Sequence, residues 1–116
     1  MRSATLLLAT ALSLSSTAAA QEPANVQTAG EALTACYMRA AASYGAKTCQ
    51  RPDAIVQAVF AYCEAQEQNL SSAAQTAHGD LAYDFGDKLV AKTRELMSAR
   101  IQRGILDAQI KSRRCR

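Results

Sequence analysis

The sequence predicts an all-α fold: a small three-helix bundle, made of an antiparallel helical hairpin and a long C-terminal helix, stapled by two disulfides. Three observations lead to this prediction. Apolar residues recur at the three- and four-residue spacing of amphipathic helices, and no strand pattern is present. The chain has four cysteines. It has no Trp and only two Phe, so its core is thin and needs cross-links.

Residues 1–20 have the parts of a cleavable signal peptide. Arg2 lies near the amino terminus, an apolar stretch covers 6–14, and small residues end at Ala18 and Ala20. An uncleaved membrane anchor is the alternative, but about ten apolar residues are roughly half of what spans a bilayer. We therefore expect an exported protein, periplasmic or secreted, that is not transmembrane after cleavage.

The mature chain divides into a flexible leader at 21–27 and a single helical domain at 28–116. Thr28 and Glu31 have the spacing of a capping box, which predicts the start of the first helix. Gly45 is expected to end it. The buried stripe of this helix is predicted to contain Leu33, Cys36, Tyr37, Ala40, Ala41 and Tyr44.

A second helix is predicted from Pro52, whose ring suits the first helical turn, with Asp53 favourable at the positive end of the helix dipole. It is expected to run to His78 and to stop at Gly79. Its buried side is predicted to contain Ile55, Val56, Val59, Phe60, Cys63 and Leu70.

A third helix is predicted to start after Asp80, its capping residue, and to run towards the C-terminus. Its polar side is expected to contain Asp84, Lys88, Glu95, Ser98, Gln102 and Gln109. A first apolar row consists of Leu81, Phe85, Leu89, Leu96, Leu106 and Ile110, and a second of Val90, Met97, Ile101, Ile105 and Ala108. One row is enough to pack on the hairpin. The other either completes the core through a bend near Gly86 or Gly104, or is a surface for another chain.

The cysteine spacing favours one disulfide pairing. Cys36 lies 13 residues before Cys49, and Cys63 lies 14 residues after it. In a hairpin that turns at Cys49, residues equidistant from the turn face each other, so we expect Cys36 to pair with Cys63 and Cys49 with Cys115. The other two pairings stay open. Zinc binding and redox catalysis are weaker alternatives, because close CxxC pairs are absent.

No catalytic constellation is visible, and no cofactor or metal is expected. His78 is the only histidine and lies at a predicted helix end, where exposure is the ordinary outcome. Asp80, Asp84 and Asp87 share one helix face but lack the pattern of a calcium loop, so favourable placement at the helix dipole explains them better than a cation site.

Charge divides the mature chain into two parts. Residues 21–87 have eight acidic and three basic side chains, whereas 88–116 have nine basic and two acidic ones. The candidate surface for an anion or a partner consists of Arg100, Arg103, Lys111, Arg113, Arg114 and Arg116. Solvation of the helix end is the simpler interpretation. Nucleic acid is not expected, because no set of stacking aromatics accompanies these charges.

These observations predict a protein that acts by binding and is not an enzyme. The first hypothesis is an interaction module or inhibitor that contacts a protein partner, or a second copy of itself, through the third helix. The alternative is an envelope-associated protein that binds anionic lipid or polysaccharide through its Arg-rich C-terminus. An enzyme, the third hypothesis, would need a cleft that so small a helical chain has little room to form.

Overall fold

A computed structural model of the chain describes residues 25–79 and 83–115. The predicted signal peptide, most of the predicted leader, Asp80, Leu81 and Arg116 lie outside these residues. Within the described parts of the chain the fold is all-α, with four helices: α1 (Val26–Lys47), α2 (Pro52–Tyr62), α3 (Glu64–His78) and α4 (Phe85–Ser112).

The helices form three arms, because α2 and α3 together make the return arm of the predicted hairpin. The disulfide between Cys36 and Cys63 and the contact of Tyr37 with Phe60 show that this arm runs antiparallel to α1. The long helix α4 then runs back beside α1. Their interface is the most extensive in the molecule. The predicted architecture of a hairpin followed by a long C-terminal helix is therefore confirmed.

The count of three helices was wrong, because the predicted second helix is divided at Cys63. The backbone of Cys63 has φ −100° and ψ 19°, outside the regular helix. Its N–H still donates to Val59 O at 3.1 Å, and its carbonyl accepts from Glu67 N at 3.0 Å. The interruption is thus confined to one fully buried residue, and the two halves keep their buried sides against α1 and α4.

The N-cap of the first helix lies three residues earlier than predicted, and the capping-box prediction was wrong. Asn25 is the N-cap, with its Oδ1 accepting from the backbone N of Thr28 at 2.7 Å. Asparagine is at least as good a cap as threonine, and the earlier start packs the apolar side chain of Val26 against the core. Glu31 instead accepts from the side chain of Gln27 at 3.2 Å.

Gly45 does not end the first helix, which continues to Lys47. Its role is to let α1 and α4 approach closely. A Cβ atom at Gly45 would lie 2.5 Å from the carbonyl oxygen of Ile105 and 2.7 Å from the Cβ of Ala108. Glycine fits at this position because it has no side chain, and the freedom of its backbone conformation is not used.

At the other end of the return arm, the predicted stop at Gly79 is confirmed, since its φ of 66° and ψ of −150° lie in a region open mainly to glycine. The last helix begins at Phe85, later than expected. Asp84 occupies its N-cap position but makes no side-chain cap. The N–H of Gly86 donates instead to Gln75 Oε1 at 3.1 Å. A side chain of α3 thus satisfies one of the free donors at the start of α4.

Both predicted disulfides are confirmed. Cys36 bonds to Cys63 inside the core, and Cys49 bonds to Cys115, which joins the α1–α2 loop to the end of α4. Their Cα atoms lie 5.9 and 5.2 Å apart, within the usual range. Two disulfides indicate a non-cytoplasmic environment. Among the described residues, no helix combines the length and the apolar character that crossing a bilayer requires.

A candidate binding surface on the C-terminal helix

The helix α4 buries the second apolar row in the core, whereas of the first row Leu89 packs at the edge of the core and the members from Leu96 onwards are exposed. Met97, Ile101 and Ile105 of the second row are buried against the other arms. In the first row, Leu96 is 67% exposed, Leu106 45% and Ile110 66%. Because α4 is one uninterrupted helix, the core is completed by the second row without the exposed members of the first.

The exposed residues form a regular line along the outer side of α4. Leu96, Ala99, Arg103, Leu106 and Ile110 are separated alternately by three and four residues and are all exposed. At 100° per residue they lie opposite the buried row. We call these five residues the outward stripe. Such spacing is typical of a helix that packs along a second helix.

Two predicted surface residues lie at the outward stripe. Arg103 belongs to it, and Arg100 lies at its edge with Nη1 3.8 Å from the Sδ of Met97. They line a shallow groove of about 440 Å³ between α4 and α1, together with Met38, Ala99, Gly104 and Asp107. Within the part of the chain that the structure describes, neither Arg103 nor Asp107 has an ion-pair partner.

The remaining predicted basic residues lie apart, at the end of α4. Lys111, Arg113 and Arg114 are exposed there, while Arg116 is outside the described residues. The Cys49–Cys115 disulfide fixes this end beside the α1–α2 loop, so the exposed Lys47 at the end of α1 lies at the same end of the bundle. We call Lys47, Lys111, Arg113 and Arg114 the basic end. The described residues of the predicted anion surface therefore lie in two separate groups. Arg100 and Arg103 lie at the outward stripe, and the others lie at the basic end.

Gln109, predicted on the polar side of α4, is buried, and that prediction was wrong. Its Nε2 donates to the carbonyl oxygens of Gln50 at 2.6 Å and Thr48 at 3.2 Å. These bonds satisfy backbone acceptors of the loop that carries Cys49. They complement the disulfide in holding the end of α4, and with it the basic end, against the rest of the bundle.

A partly buried ion pair and a tyrosine hydrogen bond meet at Glu67 and join three helices, which the sequence pattern did not predict. Glu67 of α3 is only 4% exposed. Its carboxylate accepts from Arg94 Nε at 2.7 Å, from Arg94 Nη2 at 2.6 Å and from Tyr37 Oη at 2.5 Å. The guanidinium carbon also lies 4.7 Å from the ring centre of Phe60. A signal was available, because Glu67 falls between Cys63 and Leu70 at helical spacing on the buried side.

The electrostatics of this cluster follow from its burial. Burial, reinforced by the Glu67 carboxylate, raises the pKa of Tyr37 well above its usual value. Hydrogen bonding to the same carboxylate raises the pKa of the Arg94 guanidinium. Both oxygens of the Glu67 carboxylate accept hydrogen bonds from these two side chains. The adjoining polar cleft of about 410 Å³ is lined by Glu64, Glu67, Gln68, Ser71, Ser72, Asp87, Val90 and Arg94.

Among the described residues, the other candidates for chemistry, His78, Asp84 and Asp87, have structural partners. The exposed His78 lies against Phe85, with ring centres 3.9 Å apart. Asp84 pairs with Lys88 at 3.4 Å, and Asp87 accepts from the hydroxyl of Ser71 at 3.0 Å. Among the described residues, no group of three or more His, Cys, Asp or Glu is placed to hold a metal ion.

Comparison of the chain with protein-family models, with curated proteins and with solved structures finds no match. The outward stripe is therefore interpreted from its own geometry alone.

Proposed function

We propose that this is an exported protein that acts by binding, with the outward stripe of α4 as its contact surface for another protein chain. One observation carries the proposal: Leu96, Leu106 and Ile110 are exposed along one side of a helix whose opposite side already completes the core. Single exposed apolar residues are ordinary on protein surfaces, but several of them along one face of a helix are typical of an interaction site.

The composition of the outward stripe supports a protein partner. Arg103 lies at its centre and Arg100 at its edge, and arginine is enriched at protein interfaces because its stem packs on apolar groups while its guanidinium forms hydrogen bonds. The disulfides support export, since they form in oxidising compartments. The signal-peptide pattern of residues 1–20 supports the same location.

The surface can be tested by retention of partners from an envelope extract on immobilised, oxidised mature chain. We expect a protein retained at high salt by the wild type and lost with the double variant Leu96→Gln/Ile110→Gln. The matched control is Tyr62→Gln, because Tyr62 is 66% exposed and lies at the end of α2 beside Tyr44 of α1, outside the outward stripe. Equal retention by all three proteins, or retention by none, contradicts the proposal.

The basic end supports a second candidate function, binding to anionic lipid or polysaccharide. The Cys49–Cys115 disulfide holds its cations at one end of the bundle beside the exposed Ile110, an arrangement that suits an anionic surface. We expect binding to vesicles that contain anionic lipid, weakened by added salt and lost with Arg113→Gln/Arg114→Gln. Binding that is unaffected by salt or by this variant contradicts the candidate.

A further inference from the structure

The outward stripe and its edges on one copy of the chain are complementary in charge to the same surface on a second copy. Arg100 and Asp107 lie on the same edge of the stripe, seven residues or about 10.5 Å apart along the helix. Their charges are opposite, and both side chains are exposed. When two copies of such a helix are laid side by side in opposite directions, each edge presents its base to the acid of the other.

We propose that the partner of the outward stripe is a second copy of this chain, bound through an antiparallel pair of α4 helices. This inference rests on the proposed function and names its partner. A two-fold axis relates the copies, so the same residues contribute from both sides.

One register of the two helices packs Leu106 and Ile110 and also brings opposite charges within reach of each other. With Ile110 of each copy over Ala99 of the other, a large side chain fills the space left by a small one. Leu106 then packs on the aliphatic stem of Arg103. In the same register Asp107 of each copy lies two residues, or about 3 Å along the axis, from the level of Arg100 of the other, within reach of its long side chain, which gives two identical ion pairs at the rim of the contact.

The parallel arrangement is less favourable. It would place Arg103 directly against Arg103 of the second copy at the centre of the contact. It would also bring together the two basic ends, each with three cations in or after the last turn of α4. Like charges held close at an interface are destabilising. The antiparallel pair separates the basic ends to opposite sides of the dimer.

The contact between the two helices is short. From position 96 to 113 the paired segment is about 26 Å long, which places the buried area near the lower limit of stable interfaces. We therefore expect a reversible dimer with a dissociation constant in the micromolar range.

The test uses two single charge reversals, measured separately and together by sedimentation equilibrium of the oxidised mature chain. Arg100→Asp places two acids opposite each other across the interface, and Asp107→Arg places two bases there. We expect each variant alone to dimerise at least tenfold more weakly than the wild type. In a mixture the two variants are complementary at both ion pairs, so we expect a heterodimer of nearly wild-type affinity.

Arg39→Asp, an equal charge change at an exposed position of α1, serves as the control and should dimerise like the wild type. A wild type that stays monomeric up to about 1 mM, well above the micromolar range, overturns the inference. So does failure of the mixture to recover, or recovery by the pair Arg100→Glu with Glu95→Arg, which would indicate parallel helices. If dimerisation fails while Leu96→Gln/Ile110→Gln still abolishes retention of an envelope protein, the proposed function stands and only the second copy is excluded.

Discussion

Replacing Arg94 with methionine tests the buried ion pair that joins the three arms. The substitution keeps an unbranched apolar stem but removes two of the three donors to the Glu67 carboxylate, at 2.7 and 2.6 Å. The carboxylate, on a residue that is only 4% exposed, keeps Tyr37 as its single hydrogen-bond donor.

The expected loss of unfolding free energy is about 3 kcal/mol at neutral pH. Leaving one partner of a buried pair uncompensated costs about 3–5 kcal/mol. The Arg94 side chain is 40% exposed, so water can approach the vacated side, and the lower end of this range applies. Loss of the cation–π contact with Phe60 adds about 0.5 kcal/mol or more. For a small domain this total is a large fraction of about 5–15 kcal/mol of net stability.

Urea unfolding of the oxidised protein, followed by circular dichroism, measures this loss. In the triple variant Tyr37→Phe/Glu67→Leu/Arg94→Met no buried polar group is left unpaired, and most of the lost stability should return.

A loss below about 1 kcal/mol for Arg94→Met, the range of an exposed ion pair, would refute the reasoning. Failure of the triple variant to recover stability over Arg94→Met would do so as well, because it would show that the unpaired Glu67 carboxylate is not the cause.

Three further predictions concern packing, titration and the cross-link. Gly45→Ala should destabilise the protein by about 1–3 kcal/mol because its Cβ would meet the backbone of α4, whereas Gly30→Ala, with open space around it, should stabilise it by about 0.5–1 kcal/mol; thermal melts of both variants test the pair. Burial raises the pKa of Tyr37, so its contribution to stability is complete below the unfolded value of about 10 and declines at higher pH by up to about 1.4 kcal/mol per pH unit; urea unfolding at alkaline pH should show this slope, and Tyr37→Phe should lack it. Replacing Cys49 and Cys115 with alanine opens a link across 66 residues and should cost about 2–5 kcal/mol; a denaturation midpoint unchanged from that of the oxidised wild type would contradict this.

Local sequence features predicted the parts of the fold that depend on near neighbours. The three- and four-residue spacing placed the buried sides of the helices, and Gly79 ended the return arm as expected. The pairing of Cys36 with Cys63 followed from their nearly equal distance from Cys49, because a hairpin converts sequence symmetry into spatial contact.

Other features depended on contacts between residues far apart in the chain. Gly45 resembled a helix end, yet its role is set by Ile105, which lies 60 residues later. In the sequence Glu67 has the pattern of a surface acid, but in the structure it is buried because Arg94 and Tyr37 bind its carboxylate. Gln109 resembled an exposed polar residue until the α1–α2 loop covered it.

The sequence by itself determined that this chain forms helices, that its cysteines pair, and that its last helix has two apolar rows. Only the tertiary structure decided which row is buried, because helical periodicity describes both rows equally well. The row of Met97, Ile101 and Ile105 is the one that fits against the small residues of α1, where Gly45 and the neighbouring alanines allow close approach. Packing against the other arms therefore left Leu96, Leu106 and Ile110 as the outer surface from which the proposed binding follows.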